Sequence, residues 1–122
     1  MTLSLAPGDV VIAVLHSPRE KLWGVLVSTS PAGIIVRGLD LDAFEDWMRH
    51  EAGGEDRMVG PATIFLPIWR VERVERDEKL GQLPSFADRF RAMVGRQAAE
   101  ALGWAAPSAR RRGTRRPPAR RG

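Results

Sequence analysis

Two neighbouring stretches of the chain, DVVIAVL (9–15) and KLWGVLVS (21–28), are apolar at nearly every position. Their β-branched residues and flanking turn residues predict two strands. A sheet with one wet face alternates apolar and polar residues, so these strands need cover on both faces. We expect alternate residues of the first strand to fill a small barrel and the others to need cover from a helix or a second subunit. The interior set is Val10, Ile12 and Val14, and the covered exterior set is Val11, Ala13 and Leu15.

Three further strands are predicted downstream. IIVRGL (34–39) returns after the connection TSPAG (29–33), whose proline and glycine suit a hairpin. The stretch ATIFLPIWRVERVE (62–75) is too long and irregular for one flat strand. Pro67 has no N–H to donate to a ladder, so the chain should bend there and form two strands. The sequence therefore predicts five strands in meander order.

Two helices accompany these strands. DAFEDWMRHE (42–51) places Phe44, Trp47 and Met48 on one apolar stripe, and Asp42 with Glu45 resembles a capping box. A C-terminal helix is predicted from Ser85, its N-cap, to about residue 102, and Gly95 weakens it by about 1 kcal/mol relative to alanine. Its apolar stripe consists of Phe86, Phe90, Met93, Val94, Ala98 and Leu102. The predicted fold class is mainly β, a small bent five-stranded barrel of the SH3-like or Sm-like kind with an inserted helix and a C-terminal helix.

Positive charge is concentrated at the end of the chain. Residues 1–104 are predicted to form one domain, whereas the Ala, Pro, Ser and Arg composition of 105–122 buries too little apolar area to fold and predicts disorder. Of 19 basic residues, seven lie in this tail, which leaves 12 against 15 acids elsewhere. The tail arginines are Arg110, Arg111, Arg112, Arg115, Arg116, Arg120 and Arg121. The remaining chain is mildly acidic, with seven acids between Asp40 and Asp56.

Residue types narrow the class of function. The chain has no cysteine, which excludes disulfides and thiolate metal sites. His16 and His50 are the only histidines and fall in different elements, too few for a zinc site. No phosphate-cradling glycine loop and no Ser, His and acid arrangement is present. We therefore expect no enzyme, no metal and no cofactor. With no signal peptide and no apolar run that would span a bilayer, we expect a cytoplasmic protein that does not bind membranes.

The stretch IFLPIWRVERVE resembles the last two strands of Sm-like and SH3-like small barrels, which a single helical turn separates. Arg37 and Gly38 of IIVRGL also resemble the Arg-Gly element of the second Sm motif, although that element comes late in Sm proteins and here a helix and two strands follow it. The layout HSPREKLWG, RGLDL and EDW is similar to that of small bacterial proteins. The resemblance implies a small barrel and, for Sm-like proteins, RNA binding.

A non-enzymatic binding module is the interpretation that fits these features, with RNA or another nucleic acid as the leading partner. The tail arginines would neutralise phosphates and release counterions. Trp23 is close in sequence to Lys21, and Trp69 is next to Arg70, so each tryptophan is accompanied by a basic residue. These tryptophans either stack on nucleotide bases or pack in the core. Trp47 belongs to the helix stripe and should pack in the core. The candidate nucleic-acid residues are the seven tail arginines with Lys21, Trp23, Arg37, Trp69 and Arg70.

Two alternatives remain open from sequence. The abundance of Arg, Ala, Gly and Pro is also typical of a GC-rich genome, in which case the tail carries charge without a selected purpose. The second alternative is a protein-interaction or self-assembly module. In that case the acidic helix docks a partner through Asp42, Glu45, Asp46 and Arg49, and apolar strand surface is buried in a homo-oligomer.

Overall fold

The computed structural model describes residues 4–53 and 60–105, which form a five-stranded antiparallel sheet and three α-helices. No helix in these ranges is long and apolar enough to cross a membrane. The predicted mainly β fold with an inserted helix and a C-terminal helical region is confirmed. The strands are β1 (Val10–Leu15), β2 (Glu20–Ser30), β3 (Gly33–Asp40), β4 (Ala62–Pro67) and β5 (Val71–Arg76), and the helices are α1 (Phe44–Gly53), α2 (Phe86–Val94) and α3 (Ala98–Ala101).

The sheet curls but does not close into the expected barrel. Its strand order is β4-β3-β2-β1-β5, so β4 and β5 are the two edges, and no backbone pairing joins them within the described residues. Pro67 does end β4, as predicted, and a 3-10 turn at Ile68–Arg70 leads into β5. That turn sends β5 across to β1, where Val71 pairs with Leu15. The two edges therefore approach each other at the turn without forming a ladder.

Both faces of the sheet are buried, which explains the unbroken apolar runs, but the two faces are the reverse of those expected. Val11, Ala13 and Leu15 belong to a core cluster built from the strands alone. Ile12 instead pairs with Trp23, and both contact a second cluster that includes the helices. The period-two pattern gives the alternation of a strand but not which side the helices will cover. Because the helices cover the outer face, β1 and β2 need no second subunit to bury them.

The helices begin and end differently from the prediction. The residue that caps the inserted helical region is Asp40 rather than Asp42: its Oδ1 accepts the N–H of Asp42, 3.0 Å away, and a 3-10 turn at Leu41–Ala43 precedes α1. At the C-terminal helix, the predicted N-cap is confirmed, since Ser85 Oγ accepts the N–H of Asp88 at 3.0 Å. The single helix expected over 85–102 is divided, because Gly95 adopts a left-handed conformation (φ 85°) and ends α2.

Candidate nucleic-acid interface

Arg37 lies on β3, on the same side of the sheet as the helices, and its guanidinium is held in place at the end of α3. Its Nε donates to the carbonyl oxygen of Leu102 at 2.8 Å, and its Nη1 lies 3.4 Å from Thr63 Oγ1 on β4. Leu102 is the C-cap residue of α3, where a helix leaves carbonyl groups unpaired. Within the described ranges no carboxylate pairs with Arg37. The side chain is thus positioned, partly buried and electrically uncompensated.

The glycine that follows Arg37 serves the packing of the sheet. Gly38 is buried opposite Gly24 of β2, and a side chain on Gly38 would collide with the carbonyl oxygen of Trp23. A side chain on Gly24 would in turn collide with the carbonyl oxygen of Arg37. The Arg-Gly pair of the sequence therefore divides its roles: the arginine presents a cation, and the glycine lets two strands approach closely.

An exposed aromatic side chain shares this face of the sheet. Arg37 pairs in register with Thr63, and Ile35 pairs with Phe65, so these four residues lie on one side of β3 and β4. Phe65 is 53% exposed. The Cζ of its ring lies close to Gly33, where an added Cβ would be 2.9 Å from Phe65 Cζ. We call this surface the β3–β4 strip, consisting of Ile35, Arg37, Thr63 and Phe65. Neither strand contributes an acidic residue between 33–39 or 62–67.

The chain leaves the described part of the molecule beside Arg37. A Cβ on Gly103 would lie 3.3 Å from Arg37 Nε, so the backbone after α3 runs against the guanidinium. The indole of Trp104 then packs on Gly8, and Ala105 is the last described residue. The tail arginines and the predicted disorder of the tail lie outside the described residues, but the point from which the tail continues is fixed. The described chain therefore ends two residues after the glycine that contacts Arg37.

The structure separates the tryptophans that the sequence grouped together. Trp23 is fully buried and contacts Phe44 and Trp47 in the core, so it is not available to stack on a base, and the core interpretation of Trp23 is the correct one. Trp47 is also fully buried, as expected. Trp69 is 66% exposed on the turn between β4 and β5, beside Ile68 at 50%. Only Trp69 of these three offers an open aromatic surface.

The two remaining basic candidates are less suited to phosphate than Arg37. The side chain of Arg70 is 14% exposed, and its guanidinium forms an ion pair with Glu20 at 3.4 Å and lies 3.4 Å from the carbonyl oxygen of Pro18. Its charge is already compensated. Lys21 is exposed on β2 but shares an open depression with Asp40 and Asp42. The negative charges of these two aspartates make the electrostatic potential there less favourable for an anion.

Sequence reasoning missed Phe65. In ATIFLP the residues Ile64 and Leu66 alternate with Thr63 and Phe65, and this period of two places Phe65 on the side of Thr63, away from the strand-only core. The alternation was the available signal. The alternating segment is short, and an apolar residue in an apolar run is usually buried, so the sequence predicts burial of Phe65. Its exposure follows from the position of β4 at the edge of the sheet.

The acidic helix proposed as a docking surface is largely neutralised by the protein itself. Glu45 pairs with Arg89 of α2 and with Arg49, and Asp46 lies 2.7 Å from Arg49. Glu51 lies 3.0 Å from Arg96, at the end of α2. Asp42 stays exposed. Glu45 and Glu51 therefore join α1 to the α2 region, and Asp46 is paired within α1, so most of this acidity is not available to a basic partner.

The chain matches no known protein-family model, and comparisons with curated proteins and with solved structures also return no significant match. Its activity has therefore to be inferred from its own residues and their geometry.

Proposed function

We propose that this protein is a non-enzymatic module that associates with nucleic acid through Arg37 and the Arg-rich tail. The observation that carries the proposal is the placement of Arg37. Its guanidinium is fixed by the Leu102 carbonyl, lacks a carboxylate partner in the described ranges, and lies where the chain continues toward seven arginines. A guanidinium so placed is available to phosphate.

The tail supplies most of the affinity in this proposal. Each phosphate that an arginine neutralises releases counterions, which makes binding favourable, independent of sequence and sensitive to salt. Arg110 follows Ala105 by five positions, which span at most roughly 17 Å when fully extended. The first tail arginines can therefore contact the same nucleic-acid strand as Arg37. The positioned guanidinium adds orientation because its side chain loses little further entropy on binding.

The proposal is tested by measuring affinity for a fluorescent oligonucleotide by anisotropy, from about 50 to 200 mM salt. Deleting 107–122 should weaken binding strongly and flatten the plot of log affinity against log salt. Arg37→Gln should reduce the slope of that plot by about one, the effect of losing one phosphate contact. Arg91→Gln is the matched control, since Arg91 is exposed on α2 and makes no ion pair among the described residues. Circular dichroism melts establish that each variant is folded.

Three results would contradict the proposal in whole or in part. If the full chain does not bind at about 50 mM salt, nucleic-acid association is wrong. If instead the protein self-associates in a salt-tolerant way, measured by light scattering at micromolar concentration, a self-assembly module takes its place. If the truncated protein binds as tightly as the full chain, the tail has no part in binding.

A further inference from the structure

We infer that the β3–β4 strip is a subsite for single-stranded nucleic acid, in which Phe65 stacks on an unpaired base and Arg37 binds a neighbouring phosphate. This inference rests on the proposed association with nucleic acid and specifies what kind of strand binds and where. It assigns a role to Phe65, which the tail-based mechanism does not use.

The strip is an uncovered continuation of a face that is buried elsewhere. The helices cover this face at Trp23, Val25 and Leu39, where it forms part of the core. At Phe65 the described residues provide no such cover: the Cζ of the ring lies close to Gly33, and about half of the residue is exposed. Ile35 beside it is partly buried. An aromatic ring that is half exposed beside a glycine offers a surface for stacking on a planar group.

The spacing of the charged and aromatic groups fits a nucleotide. Arg37 pairs with Thr63, and Phe65 lies two residues further along β4, so the Cα atoms of Thr63 and Phe65 are about 7 Å apart. A base and an adjoining phosphate of one strand are separated by a comparable span. The guanidinium also keeps Nη2 without a hydrogen bond in the described part of the chain, so it retains donors for a phosphate oxygen.

Charge favours nucleic acid over other occupants of the strip. Apart from Asp40 at the end of β3, the two strands carry no acid, Arg37 has no carboxylate partner among the described residues, and the tail adds seven positive charges. This positive environment complements a polyanion. The same charges disfavour a second copy of the strip, because two positive surfaces would face each other in a symmetric dimer.

Stacking on Phe65 requires a base whose face is free. In a duplex each base is stacked between its neighbours, and a side chain on the surface of a sheet cannot reach the face of the base. In a single strand the base can turn out onto the ring, and stacking on an aromatic needs no particular base identity. The strip should therefore give the protein a preference for single strands that the tail, which reads phosphates alone, does not provide.

The test compares the full-length protein with full-length variants on a mixed-sequence oligonucleotide and on the duplex formed with its complement. Phe65→Leu should weaken single-strand binding about tenfold, a typical loss for one stacked base, and leave duplex binding unchanged. Because stacking involves no ions, the slope against log salt should stay the same. Phe65→Tyr retains the ring and should restore the affinity. Met93→Leu is the matched control, since Met93 is 52% exposed on α2 and away from the strip.

The possible outcomes distinguish a failure of the Phe65 subsite from a failure of the proposed association with nucleic acid. Equal affinity of the parent protein for single strand and duplex, or an unchanged single-strand affinity in Phe65→Leu, would overturn the subsite while tail-dependent binding stands. Absence of binding to both probes would overturn both. Self-association that Phe65→Leu abolishes, without a change in nucleic-acid affinity, would assign the strip to a second copy of the chain and overturn the subsite.

Discussion

The indole nitrogen of Trp23 donates a hydrogen bond to Asp77 Oδ2 over 3.0 Å, joining the middle of the sheet to the segment that follows β5. The same carboxylate accepts the backbone N–H groups of Phe86 and Ala87 at 2.9 and 2.8 Å. These are the first two residues of α2, whose N–H groups have no partner within the helix. One side chain therefore fixes β2, the end of β5 and the start of α2 relative to each other.

Asp77→Asn should lower the free energy of unfolding by about 2–3 kcal/mol. The amide nitrogen of asparagine would replace one carboxylate oxygen and, being a donor, could not accept the backbone or indole N–H that this oxygen accepts. The remaining hydrogen bonds would also weaken, because a charged acceptor forms stronger hydrogen bonds than a neutral one. Urea denaturation followed by circular dichroism measures the change. Glu78→Gln is the control, because Glu78 is the next residue and is exposed. Equal stabilities of the two variants would show that Asp77 does not hold α2 in place.

Gly38→Ala should cost at least about 3 kcal/mol of stability, because the new methyl group meets backbone atoms of β2 that cannot move without breaking the ladder. Gly95→Ala serves as the comparison. No atom lies within 4 Å of a Cβ at Gly95, so only its left-handed conformation (φ 85°) opposes the change, at about 1 kcal/mol. Thermal melts of both variants test whether Gly38→Ala is the more destabilising of the two substitutions. A milder effect at Gly38 would mean that β2 and β3 can separate there.

Replacing Glu45 and Asp46 by their amides should strengthen nucleic-acid binding. The change removes two negative charges and releases Arg49 and Arg89 from their carboxylate partners. These pairs are exposed, so each should contribute less than about 1 kcal/mol to stability. Anisotropy with the single-stranded probe measures affinity, and Asp88→Asn, an exposed acid on α2, is the control for net charge. Unchanged affinity would show that these arginines stay outside the reach of the bound strand.

Truncation after Trp104 should leave the melting temperature within a few degrees, since the residues beyond it offer no aliphatic or aromatic side chain other than alanine. Leu102→Ala provides the contrast. Leu102 is fully buried, and its loss should cost about 2–5 kcal/mol. A large drop on truncation would mean that the tail packs against the folded part.

Local signals in the sequence predicted the strands well. The β-branched runs, the bend at Pro67 and the cap at Ser85 depend on near neighbours, and all are confirmed. The open sheet and the reversed faces of β1 were not predictable, because they depend on which distant strand β5 joins and on where the helices pack. Gly95 was identified as a weak point, but the helical spacing of Ala98 and Leu102 concealed the break.

The candidate site was likewise predictable only where its features depend on residues close in sequence. Arg37 could be selected as a basic residue in a strand, but its lack of an acidic partner and its bond to Leu102 involve residues 65 positions apart. Trp23 was ambiguous from sequence because an aromatic next to a lysine is compatible with a core or a surface. Its burial depends on Phe44 and Trp47 of the inserted helix. Exposure of Phe65 likewise follows from the edge position of β4.

The position of β1 in the strand order has a consequence for the chain as it emerges from the ribosome. β1 pairs with β2 at once, but its other edge waits for β5, about 60 residues later in the sequence. During synthesis the nascent chain therefore carries an unpaired, wholly apolar strand edge, VVIAVL, of the kind that recruits other chains. The exposure ends when residues 71–76 form β5 and pair with β1. Chains arrested before them should aggregate, whereas chains extended beyond them should not.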